Sequence, residues 1–117
     1  MTVKYYTIFN SATGEVIADK VIIAQDFASR SIGLLNRTGL SKGEGLVIDP
    51  CSSIHTFLMK FPIDVLYLDK NSRIIKIVTD LKPWRLSQAL FAQKVVELES
   101  GAIAKLRIKC GDIVKIK

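Results

Sequence analysis

The sequence predicts a mainly β fold, a compact β-sandwich or small barrel with one main helix near residues 26–36. Two observations favour this class. Many short segments rich in β-branched and aromatic residues follow one another at close spacing, and turn residues separate them. Only one segment shows clear helical spacing. The 117 residues fit a single domain, 1–117, which is large enough to bury a core without disulfides or metals.

The predicted strands follow from alternation and from the turns between them. Residues 4–9 and 15–24 flank the turn sequence SATG, which indicates an opening hairpin. The remaining candidates are 46–48, 54–59, 63–68, 73–79, 94–98 and 112–116. Segment 63–68 is apolar at both odd and even positions, which is typical of a central strand buried on both faces.

The helical predictions are fewer. Asp26 stands where an N-cap would, and Phe27, Ala28, Ile32 and Leu35 share one helical face. Residues 81–93 indicate a loop followed by a helical turn. Residues 100–107 fit a short helix or the start of a strand, and the pattern does not choose between them.

Composition and charge exclude several classes of protein. No apolar run is long enough to cross a membrane, and the N-terminus lacks the features of a signal peptide. A soluble, cytoplasmic protein is therefore expected, unless an export segment precedes this chain. In that compartment Cys51 and Cys110 are expected to be two free, buried thiols rather than a bridge.

The net charge of +6 comes mainly from the C-terminal segment. From residue 102 onward, five bases are accompanied by a single acid, Asp112. The bases are Lys105, Arg107, Lys109, Lys115 and Lys117. No recognised nucleic-acid module or interleaved aromatic residue accompanies them, so a solvated edge is favoured. Contact with nucleic acid through this segment is the weaker alternative.

Two ionisable residues stand among apolar neighbours and require partners. His55 alternates with Phe57 and Met59, while Asp64 shares a strand face with Leu66 and Leu68. One interpretation pairs them as a base and its orienting carboxylate. The favoured interpretation makes His55 a satisfied core histidine and lets Asp64 accept hydrogen bonds from turn amides or an arginine.

Arginines supply the remaining candidates for binding. Arg30 and Arg37 share one helix face, with Gly33 between them, and could hold an anion or a carboxylate such as Asp64 or Glu97. Arg85, which follows Pro83-Trp84, could do the same. The alternative is a solvated helix face and a loop arginine. Trp84 and Phe91 are expected to cap the core rather than stack on a ligand.

No cofactor or metal is predicted. Cys51 and His55 are spaced as two ligands would be, but only Cys110 remains as a further soft ligand.

A set of motifs from about residue 24 to the C-terminus resembles a known family. The motifs are RSIGLLNR from Arg30, HTFLM from His55, FPIDV from Phe61, PWR from Pro83 and VEL from Val96. In this order they resemble domain of unknown function 192, a family of small β-rich bacterial and archaeal domains. The resemblance implies a jelly-roll-like or barrel-like fold and no established activity. Leu58 departs from the family pattern, which commonly has an aromatic residue before this methionine.

The sequence therefore predicts a non-enzymatic binding or interaction domain with a polar cleft for an anionic group. The candidate ligand-binding residues are Arg30, Arg37, His55, Asp64, Arg85 and Glu97. The partner is a small anionic ligand or another protein. The alternative is a small hydrolase-type enzyme that uses His55 with Asp64 or Glu97.

Overall fold

The computed structural model describes residues 4–25 and 37–117, so the helix predicted near residues 26–36 lies outside the described residues. The described elements are β1 (Tyr6–Asn10), β2 (Val16–Ala24), β3 (Glu44–Ile48), β4 (Ser53–His55), β5 (Ile63–Leu68), β6 (Ile74–Leu81), β7 (Leu86–Gln88), β8 (Lys94–Glu99), α1 (Ala102–Lys105) and β9 (Val114–Ile116). The prediction of a mainly β fold is confirmed.

Seven strands form one sheet in the order β6-β5-β8-β3-β2-β1-β9. All neighbours are antiparallel except β2 and β3, which are parallel. The sheet curls so far that its two edges meet at one end. A bridge there pairs Arg73 with Ile113, and the Ile74 N–H donates to the Asp112 carbonyl. The result is a half-barrel.

The two faces of this sheet carry two hydrophobic layers. Inside the curl, Ile8 of β1, Leu66 of β5 and Val114 of β9 belong to one buried cluster, although their strands are far apart in the sheet. On the outer face, Val65, Tyr67 and Ile48 pack with Ile54 of β4 in a second cluster. Strand β5 is buried at every position and pairs on both edges, which confirms its predicted central place.

The outer layer is covered by a two-stranded ribbon of β4 and β7. The predicted strand 54–59 is wrong beyond His55, because a tight turn begins at Thr56. The loop and helical turn predicted over 81–93 missed β7. Its pairing partner, β4, lies more than thirty residues earlier in the chain, so local pattern could not reveal it. Of the two interpretations of residues 100–107, the short helix α1 is the one that forms.

Candidate functional site

The candidate site is a cleft between the β4–β7 ribbon and the outer face of β6. It has a volume of about 730 Å³ and is lined by Ser53, Ile54, His55, Lys76, Val78, Leu81, Leu86, Ser87 and Gln88. Two polar contacts fix the ribbon above the sheet. The buried Tyr67 hydroxyl donates to Ser87 Oγ (2.6 Å), and Lys76 Nζ donates to the Gln88 carbonyl (2.6 Å). We refer to this hollow as the β6–β7 cleft.

Three rings are stacked at one end of the β6–β7 cleft. The His55 and Phe57 ring centroids are 4.6 Å apart, and those of Phe57 and Trp84 are 5.7 Å apart, with interplanar angles of 24° and 26°. His55 is half-buried rather than sealed in the core, and its Nδ1 accepts the N–H of Phe57 at 3.2 Å. The stack therefore runs from the cleft wall to an exposed indole.

Thr56 connects the segment that carries His55 and Phe57 to the turn that carries Trp84. It is fully buried, and its hydroxyl donates to the Lys82 carbonyl (2.6 Å) while accepting the Arg85 N–H (2.9 Å). Its backbone accepts the Trp84 N–H and donates to the Arg85 carbonyl. One hydroxyl thus bridges the Lys82–Arg85 turn in place of that turn's own hydrogen bond.

Sequence reasoning missed Thr56, although a signal was present. Thr56 shares its strand parity with Ile54 and Leu58, so it is a polar residue among apolar ones, as Asp64 is. The same test of alternation would have singled it out.

Arg85 is exposed and directly follows Trp84, the last ring of the stack. Its Nη1 makes two long hydrogen bonds of 3.4 Å, to the Pro83 and Trp84 carbonyls, and no carboxylate pairs with it within the described parts of the chain. The guanidinium therefore keeps donors available for an anion.

The expectation that Trp84 and Phe91 cap the core is wrong. Trp84 is 59% exposed and Phe91 is 83% exposed. Both residues have positive φ, 66° and 70°, and this turn geometry directs their side chains away from the protein.

Asp64 lies away from this cleft and is fully buried. Its Oδ1 accepts the Asp80 N–H (2.8 Å), and its Oδ2 accepts the N–H groups of Gly101 (3.1 Å) and Ile103 (3.0 Å). The carboxylate joins β5 to the end of β6 and to the start of α1. It does not orient His55.

The other predicted binding residues do not gather at the cleft. Glu97 is fully buried in β8, opposite Leu46 and Val65. Arg37 makes an ion pair with Glu44, in which one nitrogen, Nη2, lies 2.7 and 2.8 Å from the two oxygens. Arg30 and Gly33 lie outside the described residues. Of the described candidates, only His55 lines the cleft, and Arg85 is exposed in the turn that carries Trp84 at the end of the ring stack.

A second cavity of about 270 Å³ lies between β2 and α1. Its floor is apolar, with Ile17 and Leu98, and its rim carries three acids and three lysines, Asp19, Glu44, Glu99, Lys20, Lys42 and Lys105. Since the acids and the lysines balance, the rim carries no net charge that would favour an anionic or a cationic ligand. We therefore place the candidate site at the β6–β7 cleft.

Two surface carboxylates have shifted pKa values with clear causes. Burial of Glu44 opposes its ionisation, but hydrogen bonds from Arg37 and the Ser41 N–H outweigh burial and hold its pKa below 4.5. The Ser100 hydroxyl, followed by Lys82, holds the pKa of Asp80 below 3.8. Both groups are therefore ionised and partnered at neutral pH.

Both cysteines are free thiols, but the expectation that they are buried is wrong. Cys51 is half-buried and donates to the Ser53 carbonyl at 3.1 Å, while Cys110 is exposed. Across residues 4–25 and 37–117, no group of three metal-ligating side chains comes together. In the same ranges, no helix is long and apolar enough to span a membrane.

Comparison with known proteins gives consistent matches over nearly the whole chain. Residues 8–116 match the family DUF192, described as Uncharacterized ACR. A UPF0127 protein of Thermococcus kodakarensis is 31% identical over 92% of this chain and 71% of its own length. One from Pyrococcus horikoshii is 34% identical over 82% and 86%. A crystal structure of a protein of unknown function from Novosphingobium aromaticivorans has the same fold. Its TM-score is 0.80 at 23% identity, over 97% of this chain and 84% of that one.

Removing the Thr56 hydroxyl is expected to destabilise the ring stack. Thr56→Val keeps the shape but leaves the Lys82 carbonyl and the Arg85 N–H without their partner, so unfolding free energy should fall by about 1–3 kcal/mol. Thr56→Ser, which restores the hydroxyl, should recover most of this loss. Urea denaturation measures both; equal losses for the two variants would contradict the bridge.

Replacing the Asp64 carboxylate by an amide should be more costly. In Asp64→Asn, the new NH₂ group must face an N–H donor at Asp80 or at α1, so we expect a loss of about 3 kcal/mol. Asp19→Asn, the same charge change at an exposed site, should change stability by less than about 0.5 kcal/mol. A loss for Asp64→Asn no larger than for this control would be inconsistent with its structural role.

The Arg37–Glu44 pair predicts a pH dependence of defined sign. Because the folded pKa of Glu44 is lowered, its contribution is complete above pH 4.5 and disappears as the pH falls through the folded pKa. At pH 7, Glu44→Gln should be less stable than wild type by about 0.5–1 kcal/mol, and the difference should shrink steadily as the pH falls below 4.5 through the folded pKa. Urea titrations at pH 7, 4 and 3 test this; a constant difference would refute it.

Proposed function

The chain belongs to the uncharacterised family DUF192, and from its own geometry we propose that it is a non-enzymatic binding domain that holds an anionic group at the β6–β7 cleft. One observation carries this proposal. Arg85, whose described contacts include no carboxylate, is exposed in the same turn as Trp84, the outermost ring of the stack that begins at His55 in the cleft wall. A guanidinium next to an exposed indole suits a planar anion, because it offers charge, paired donors and a stacking face.

The geometry supports binding over the hydrolase alternative. An enzyme that used His55 with Asp64 would need the carboxylate within reach of the imidazole. The Asp64 oxygens instead accept three backbone N–H groups at the end of the half-barrel. Glu97 is fully buried, so no substrate in the open cleft would meet it.

The basic C-terminal residues give the nucleic-acid alternative no added support. Lys105, Arg107 and Lys109 are exposed, but they line a shallow hollow with Glu15 and Asp112. Acids among the bases weaken the field that a phosphate backbone needs.

We further propose that the domain works in the cytoplasm. Its two thiols are free, and Cys110 is exposed, as is usual where the cell keeps cysteines reduced.

A planar carboxylate provides a direct test of the anion site. Trp84 is the only tryptophan of the chain, so its fluorescence reports on the site. Benzoate, which combines a carboxylate with a ring, should quench this fluorescence saturably with Kd on the order of 1 mM. Acetate, which has no ring, should bind more weakly.

Variants locate the binding. Arg85→Ala should lose benzoate binding at least tenfold, and Arg85→Lys, which keeps the charge but not the fork of donors, should weaken it less. Lys115→Ala removes the same charge from exposed β9 and should leave binding unchanged. The proposal fails if benzoate does not bind, or if Arg85→Ala binds benzoate as wild type does.

A further inference from the structure

The strongest unexplained feature of the surface is a set of apolar side chains held in solvent by strained turns. Three tight turns place a large apolar residue at their third position with positive φ: Leu58 (66°), Trp84 (66°) and Phe91 (70°). Backbone hydrogen bonds from Met59 to Thr56 and from Ala92 to Ala89 close two of them, and the Thr56 hydroxyl bridges the third. Glycine is the residue that normally takes this position.

These residues contribute little to the core. Leu58 is 61% exposed, Trp84 59% and Phe91 83%, so none of them seals the core. Each positive φ in a bulky residue strains the backbone, because the Cβ atom is crowded in that conformation. Leu86 of β7 and Leu90, just after β7, are exposed as well. We call these five residues the apolar strip.

The protein surface next to the apolar strip is concave rather than flat. The β6–β7 cleft shares Lys76 and Gln88 with a second hollow of about 420 Å³, which Leu90 and Phe91 line. Two hollows in a row along a strand suit an extended polypeptide, whose side chains point alternately into and away from the surface. A lipid surface would meet the protruding residues and leave both hollows unfilled.

Charge selects the kind of polypeptide. Lys76 lines the cleft, and Lys82 and Arg85 lie in the turn that carries Trp84 and precedes β7. The acids nearby are already engaged: Asp80 accepts from Ser100 and Lys82, and Asp69 accepts the N–H groups of Asn71 and Arg73. A second copy docking by the same face would place its lysines and arginine against the lysines and arginine of the first copy. This like-charge repulsion disfavours a symmetric dimer.

We propose that the apolar strip and the two hollows dock an extended segment of another polypeptide that carries acidic and large apolar side chains. This rests on the proposed function and deepens it, because the anion that Arg85 holds is then a carboxylate of that segment. The turns display Leu58, Trp84 and Phe91 to its apolar side chains, and Lys76 and Arg85 meet its acids.

Two synthetic peptides of twelve residues test this proposal. One alternates Asp or Glu with Leu or Phe, and its partner has Lys at every acidic position. The acidic peptide should shift Trp84 fluorescence to the blue and bind with Kd of roughly 10–100 μM, more weakly as salt rises. The basic peptide should not bind. Calorimetry gives the same affinities without the fluorescent reporter.

Glycine variants separate binding from folding. Phe91→Gly and Leu58→Gly suit a positive φ, so the thermal midpoint should shift by less than about 5 °C, while affinity for the acidic peptide falls at least tenfold. Val16→Ala trims an apolar side chain that is 45% exposed on β2 and should leave affinity unchanged.

Each other outcome overturns the docking proposal. If neither peptide binds while benzoate binding still depends on Arg85, the anion-site proposal stands and the polypeptide-docking proposal fails. Equal binding of both peptides removes the charge argument, and wild-type affinity in Phe91→Gly removes the apolar strip. A dimer in sedimentation that Phe91→Gly dissociates assigns the strip to a second copy. Binding to anionic phospholipid vesicles without peptide binding assigns it to a membrane surface.

Discussion

The buried carboxylate of Asp64 is the constraint on which the rest of the architecture depends. A full charge inside a protein is tolerated only where donors surround it, and here β5, β6 and α1 must all be in place to supply them. The Asp80 N–H turns towards Asp64, at a register irregularity between β5 and β6 and with φ of 52°. One side chain thus sets both the closed end of the half-barrel and the path of β6, which forms a wall of the cleft.

Thr56 does on the outer face what Asp64 does at the barrel end. It is a small, buried polar group whose partners come from a distant segment, and it fixes the Lys82–Arg85 turn against the turn that holds Leu58. Between these two anchors the chain has little freedom. Side chains that would otherwise fold back onto the surface are therefore displayed to solvent in fixed positions, which lowers the entropy cost of contact with a partner.

The alternation of polar and apolar residues predicted the features that depend on local sequence. It identified β5 as a central strand, and it marked Asp64 as a polar group in need of partners. It could not name those partners, because Gly101 and Ile103 lie far away in the sequence. It missed β7 for the same reason. Trp84 and Phe91 were misplaced because residue type suggests burial, whereas their exposure depends on a backbone angle that composition does not encode.

The single parallel pair in the sheet has a consequence for how the chain reaches this state. Strands β1 and β2, and β5 and β6, are joined by short connections, but β2 reaches β3 only by a crossover, and β3 then pairs with β8 from the far end of the sequence. Non-local pairing of this kind raises contact order, so assembly is expected to be slow, on the order of milliseconds to seconds. Hairpins that form early would have unpaired backbone N–H and C=O groups along their edges until the centre of the sheet closes. The lysines on the outer strands reduce mispairing of these edges during that interval.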